Sequence, residues 1–158
     1  MRTVRLRLHV PHKSASDLYA TLANFELYPT LCDAVQNVVV TERSGNLTVS
    51  QWEVTFRAGL LRWTEEDTFD PGALTITFRQ LEGDVAVFDG SWQCVDAAQG
   101  SEVLFSADLD LGIPGLADAL EPIAARTLIA NIISIVRGLV GSAELVTSDT
   151  EAPVGSAP

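Results

Sequence analysis

The sequence predicts an α+β fold: a seven-stranded, curved antiparallel sheet around one long carboxy-terminal helix, with two short helices after the first strand. Three observations lead there. Residues 34–111 hold a two-residue apolar period through six runs separated by turn residues. A further alternating run opens the chain, and one long apolar stretch of helical character closes it. An antiparallel sheet must cover its apolar face, and that closing stretch is the only cover on offer.

In the opening strand Val4, Leu6, Leu8 and Val10 share one face, while Arg5, Arg7 and His9 share the other. Pro11 stops it. Ser14, followed three positions on by Asp17, has the pattern of a capped helix start, and Leu18, Leu22 and Phe25 follow at helical spacing. Tyr28-Pro29 predicts the end of this helical region, because a residue before proline is pushed out of the α region. The six runs are 34–42, 47–57, 61–69, 74–81, 85–95 and 102–111. Between them stand Ser44-Gly45-Asn46, Ala58-Gly59, Asp70-Pro71-Gly72, Glu82-Gly83-Asp84 and Gln99-Gly100. Connections this short join antiparallel neighbours, so the six strands form a meander. Residues 114–141 then make a helix roughly 40 Å long at about 1.5 Å per residue, which Pro122 should kink or restart. Residues 142–158, rich in Ser, Thr, Pro, Ala and acid, read as a mobile acidic tail, leaving one domain over 1–141.

The 158 residues carry 10 Lys and Arg against 21 Asp and Glu, a net charge of −11. That balance disfavours nucleic acid and anionic membrane surfaces, whose binding rests on cationic side chains. Cys32 and Cys94 read as small apolar residues of a reducing compartment, and His9 and His12 match no zinc spacing. No glycine-rich phosphate loop, G-x-S-x-G or H-E-x-x-H occurs, so neither a metal nor a cofactor is expected. The amino terminus lacks a signal-peptide core, and Asp118, Glu121, Arg126, Asn131 and Arg137 make the long apolar stretch too polar to span a membrane. A soluble cytoplasmic protein is the expectation.

Strand 61–69 carries the chemistry. Leu61, Trp63, Glu65, Asp67 and Phe69 share its bulkier face, which should point inward and take both carboxyls with it, roughly 6–7 Å apart. Burial and mutual repulsion would raise at least one pKa and create a general acid or base. The alternative is a bulge at Glu65–Glu66 that turns the carboxylates to solvent, or an ion pair of Asp67 with Arg79 or Arg57. Trp52, Trp63 and Trp92, each on an apolar face, suit a flat or conjugated apolar ligand, or are ordinary core aromatics. Tyr28 and Phe25 would border the entrance. Arg79 either binds a ligand carbonyl or enolate or lies outside, opposite Leu74, Ile76 and Phe78. Ala117, Ala119, Ala124, Ala125, Ala130 and Gly138 on the helix, with Ala107 in a strand, leave room for an internal pocket or for a closely packed helix. Ile129, Ile132, Ile133, Val136 and Val140 add apolar groups around that helix, for which homodimerisation is the simplest explanation, with a ligand-lined face or a partner synthase as the others.

The order of elements, with Phe25-Glu26-Leu27-Tyr28-Pro29, Trp63-Thr64-Glu65-Glu66-Asp67, Asp70-Pro71-Gly72, Phe78-Arg79-Gln80-Leu81-Glu82-Gly83-Asp84, Phe88-Asp89-Gly90-Ser91-Trp92 and Asp108-Leu109-Asp110, resembles the START-like, or SRPBCC, helix-grip superfamily over residues 4–141. Within it the chain is most similar to polyketide aromatase/cyclases and the coenzyme Q-binding group. The resemblance implies a cofactor-independent cyclase or dehydratase of antibiotic-type polyketide biosynthesis. It would hold a poly-ketone chain between sheet and helix and direct ring closure by proton transfer. The substrate would arrive free or tethered to an acyl carrier protein. A carrier of a quinone or lipid is the alternative. Trp63, Arg79, Phe88 and Trp92 match family positions near the cavity. The arginine that tetracenomycin-type cyclases place there aligns with Asp67, however, and a glutamine aligns with Ala107. Glu65, Asp67 and Arg79 are thus the candidate catalytic residues, and Trp52, Trp63, Phe88, Trp92, Tyr28 and Phe25 the candidate substrate-binding ones.

Overall fold

The alternating opening run forms strand β1 (Arg2–Pro11), with Val4, Leu6, Leu8 and Val10 buried. Ser14 caps helix α1 (Ala15–Ala23), its hydroxyl oxygen accepting the Asp17 amide at 3.1 Å. A 3-10 turn at Phe25–Leu27 leads into helix α2 (Tyr28–Leu31). Here Pro29 begins a second short helix rather than ending the first, since proline in a first turn costs no hydrogen bond. The meander follows as β2 (Val35–Ser44), β3 (Leu47–Phe56), β4 (Gly59–Asp70), β5 (Thr75–Gly83), β6 (Val87–Ala97) and β7 (Gly100–Asp110), each antiparallel to the next. Helix α3 (Ala117–Val140) and strand β8 (Glu144–Glu151) complete the chain. This computed structural model describes residues 1–56, 59–113 and 117–151. Arg57, Pro114, Leu116 and residues 152–158, on which parts of the sequence reading fell, lie outside them.

All strands belong to one sheet in the order β2-β3-β4-β5-β6-β7-β1-β8. The count is eight, not seven, because 144–151 pairs antiparallel with the free edge of β1. That segment corrects the reading of a tail beginning at 142. Its composition is poor in large apolar groups, but β1 offers a row of unpaired backbone groups that a returning strand satisfies. Gly141, at φ 85°, makes the turn after α3 that aims the chain there, and Arg137 Nε donates to the Ala143 carbonyl across it.

Helix α3 runs as one element through Pro122, which sits in its second turn, so no restart occurs among the described residues. Ala124, Ala125, Ile132, Ile135 and Val136 are buried. Length and composition alone would let Ala119–Val140 cross a membrane; 28% of that stretch is buried inside the protein, and Ala124, Ile132, Ile135 and Val136 belong to its core. Gly138 is the point of closest approach. A Cβ there would lie 2.3 Å from the Leu31 carbonyl oxygen, and the nearby Cys32 thiol donates to the Ile135 carbonyl at 3.4 Å. Part of the second apolar side of α3 therefore packs on α2, while Ile129, Ile133 and Val140 remain half-buried.

Candidate active site

Alternation along β3 and β4 decides what faces inward. On β3 the buried residues are Thr48, Ser50, Trp52 and Val54, and on β4 they are Trp63, Glu65 and Asp67. The register sets Ser50 opposite Glu65, Thr48 opposite Asp67 and Trp52 opposite Trp63. A register shift does occur beside Glu65, but its extra residue is Leu81 on β5, so β4 keeps its alternation and both carboxyls stay inside. Glu65 is 4% exposed and Asp67 not at all.

Both acids are held by hydrogen bonds to their inner-face neighbours. Trp63 Nε1 donates to Glu65 Oε1 at 2.7 Å. Trp52 Nε1 donates to Ser50 Oγ at 2.8 Å, and the Ser50 hydroxyl donates to Asp67 Oδ2 at 2.6 Å. Burial pushes the Glu65 carboxyl well above the ordinary carboxylate range, and the hydrogen bond and charge of Asp67 push it further. Burial also raises Asp67, but its hydrogen bonds with Glu65 and Ser50 restrain it. Of the two, Glu65 is therefore shifted further towards its protonated form, and Asp67 is the more acidic partner. Two carboxyls this close share one proton because both cannot ionise without water.

Glu65 borders an internal cavity of about 80 Å³ between the sheet and α3. Every candidate binding residue lies on it: Phe25, Tyr28, Trp52, Trp63, Phe88 and Trp92. The first five of these rings form a continuous array, with Trp52 and Trp63 stacked at 5.9 Å and Phe88 edge-on to Trp63 at 5.2 Å, and Trp92 joins it through Phe105 and Phe78. Phe25 and Tyr28, expected at an entrance, are instead buried, 4% and 1% exposed, and meet Trp52 at 5.1 and 5.4 Å. The Tyr28 hydroxyl is committed to the Leu22 carbonyl at 2.6 Å. Asp67 is absent from the cavity wall and stands behind Glu65.

Arg79 corrects the inward alternative. Ile76 and Phe78 occupy the inner face of β5, so the strand period turns Arg79 outward, where it pairs with Glu66 at 3.3 Å. The structure brings it neither to Asp67 nor to the cavity. Ala107 lies opposite Gly90 and also lies off the cavity wall; a Cβ on Gly90 would meet the Ser106 carbonyl and Phe78. Sequence reasoning missed Ser50, Thr55 and Asn131. Ser50 was findable, because it stands two residues before Trp52 on the same strand face. Thr55 and Asn131 line the far part of the cavity, where Asn131 Nδ2 donates to the Thr55 carbonyl at 3.0 Å. No local pattern joins residues of β3 and α3.

A profile of the family described as "Polyketide cyclase / dehydrase and lipid transport" matches residues 11–135. The actinorhodin polyketide synthase bifunctional cyclase/dehydratase of Streptomyces coelicolor is 30% identical over 133 residues, covering 79% of this chain and 40% of that protein. The chain therefore spans about two fifths of the length of this relative. Among solved structures, a protein from Thermus thermophilus superposes with a TM-score of 0.79 at 23% identity, over 87% of this chain and 94% of its own. The ZhuI aromatase/cyclase from Streptomyces sp. R1128 does so with a TM-score of 0.78 at 16% identity, over 88% and 92%. Such likeness shows the shared fold.

Proposed function

Since the chain belongs to the polyketide cyclase/dehydrase and lipid transport family, we propose that it binds a hydrophobic poly-ketone and promotes its cyclisation or dehydration through the Glu65–Asp67 pair. The observation that carries this reading is a protonated carboxyl at the wall of an otherwise aromatic and aliphatic cavity. Besides the Tyr28 hydroxyl and the tryptophan indoles, Glu65 and Asn131 supply the polar side-chain groups among the described lining residues, the Thr55 hydroxyl being bonded to Gln36. A ketone oxygen in that setting finds Glu65 as its acid.

The chemistry follows from the proton inventory. Glu65 donates its proton to a substrate carbonyl oxygen, and the carboxylate so formed takes a proton from the neighbouring carbon, which yields an enol able to attack a second carbonyl and restores Glu65. In the dehydration, Glu65 protonates the departing hydroxyl, the C–O bond breaks and water leaves. The pair, now doubly ionised, recovers a proton from the adjacent carbon. Asp67 makes that recovery favourable, because two adjacent unprotonated carboxylates repel each other in a dry site. The stacked tryptophans hold the chain flat while the ring closes.

The cavity volume of about 80 Å³ is below the roughly 300–1,000 Å³ of sites that enclose drug-sized ligands. A poly-ketone therefore enters by displacing wall side chains or by shifting α3. The nearly unbroken apolar wall also favours a second reading, a carrier of a quinone or lipid. The two separate in one experiment. A linear β-polyketone thioester incubated with the protein should lose water and gain aromatic absorbance faster than without it. Binding without conversion, together with a quinone or lipid co-purifying in native mass spectrometry, would establish the carrier instead.

A further inference from the structure

The Glu65–Asp67 pair has a second neighbour besides the cavity. Beyond Asp67, at the opposite end of β3 and β4 from the connection between them, lies a depression of about 250 Å³. Ala20, Ala23 and Asn24 of α1 and its cap, Val40 and Arg43 of β2, Thr48 of β3 and Phe69 of β4 line it. Phe25 borders both spaces and forms part of the wall between them. Thr48 stands directly opposite Asp67 on the same face of the sheet and is 5% exposed. Asp67 Oδ1 is fully buried and has no hydrogen-bond donor among the described groups. Neither Thr48 nor Asp67 touches the ligand cavity.

We propose that Thr48 and the depression beside it are the route by which the Glu65–Asp67 pair exchanges protons with solvent, separate from the cavity that an organic ligand fills. The inference rests on the reading of that pair as the proton-transfer group. A depression of this size admits several waters, at roughly 30 Å³ of liquid volume each. A water held by the Thr48 hydroxyl passes a proton to the unpartnered Asp67 Oδ1 and takes one from the next water in the depression, and Asp67 shares it with Glu65. Only O–H bonds form and break, and one proton moves inward. The other titratable groups around the pair are committed elsewhere. Tyr28 donates to Leu22, Arg43 at the rim pairs with Glu26 at 2.8 Å, and Glu66 faces outward to Arg79. A ligand that seals the apolar cavity thus leaves the acid in contact with bulk protons.

The test uses pH-jump stopped-flow on the intact protein without substrate, read by the fluorescence of Trp52 and Trp63, which hydrogen-bond to Ser50 and Glu65. Wild type should show a relaxation that Glu65→Gln abolishes. Thr48→Val should slow it by about tenfold or more, Thr48→Ser should restore it, and Thr55→Val, which removes a hydroxyl bonded to Gln36 at the other end of β3, should leave it unchanged. Should Thr48→Val fail to fold, Ala23→Leu, which narrows the depression from α1, carries the same expectation. Thr48→Val relaxing at the wild-type rate, or Thr55→Val slowing it as much, overturns the route while the pair still titrates. A wild type with no relaxation that Glu65→Gln removes overturns the pair itself, and the route with it.

Discussion

Glu65→Gln removes one proton and almost nothing else. The glutamine oxygen can still accept the Trp63 indole N–H, now at 2.7 Å, and its amide can donate to Asp67 where the acid O–H did. Side-chain volume is nearly unchanged, so packing and ligand affinity should hold. General acid–base groups contribute about 10²–10⁴ in rate, or about 3–5 kcal/mol at about 1.4 kcal/mol per decade. No other carboxyl lines the cavity among the described residues, and an apolar space of about 80 Å³ offers little water to take over. The loss should therefore fall in the upper part of that range. Asp67→Asn leaves Glu65 its proton but removes the charge that draws the proton back, and should cost about tenfold or more. The assay is single-turnover conversion of a linear β-polyketone thioester, followed by aromatic absorbance and by mass loss of water. Near-ultraviolet circular dichroism verifies the fold, and tryptophan quenching verifies binding. A folded, ligand-binding Glu65→Gln that converts substrate within about threefold of wild type would refute the acid role.

The buried acids also set how stability depends on pH. Both carboxyls have folded pKa values above their unfolded ones, so their stabilising protonation is complete below the ordinary carboxylate range and is lost as pH rises through the raised values. The denaturation midpoint should fall as pH rises above the ordinary carboxylate range, and fall less in Glu65→Gln. Gly138→Ala would set a Cβ 2.3 Å from the Leu31 carbonyl oxygen and force α3 away from α2. It should destabilise by about 1–3 kcal/mol, read as a Tm lower by about 2–4 °C per kcal/mol. Arg79→Ala breaks only an exposed pair with Glu66, so stability should stay within about 0.5 kcal/mol and turnover should not change.

Strand faces were legible in the sequence, because side-chain alternation is local and needs no partner. The inward set of Trp63, Glu65 and Asp67, the six-strand meander and the Ser14 cap all follow from periods and spacings within single segments. Arg79 was ambiguous by sequence only because two opposed roles fit one residue; the same period, anchored by Ile76 and Phe78, turns it out. Strand β8 was not legible. Its weakly apolar residues become a strand only because the exposed edge of β1 supplies the hydrogen bonds, and those bonds form between segments far apart in the chain. The same holds for the site. Composition and pattern placed two carboxyls on one buried face, but the register between β3 and β4 put Ser50 and Thr48 against them. That register and the packing of α3 then left Glu65 at the cavity with Asp67 behind it. Which acid holds the proton depends on desolvation and on contacts from neighbouring strands, and those exist only once the sheet has closed on its helix.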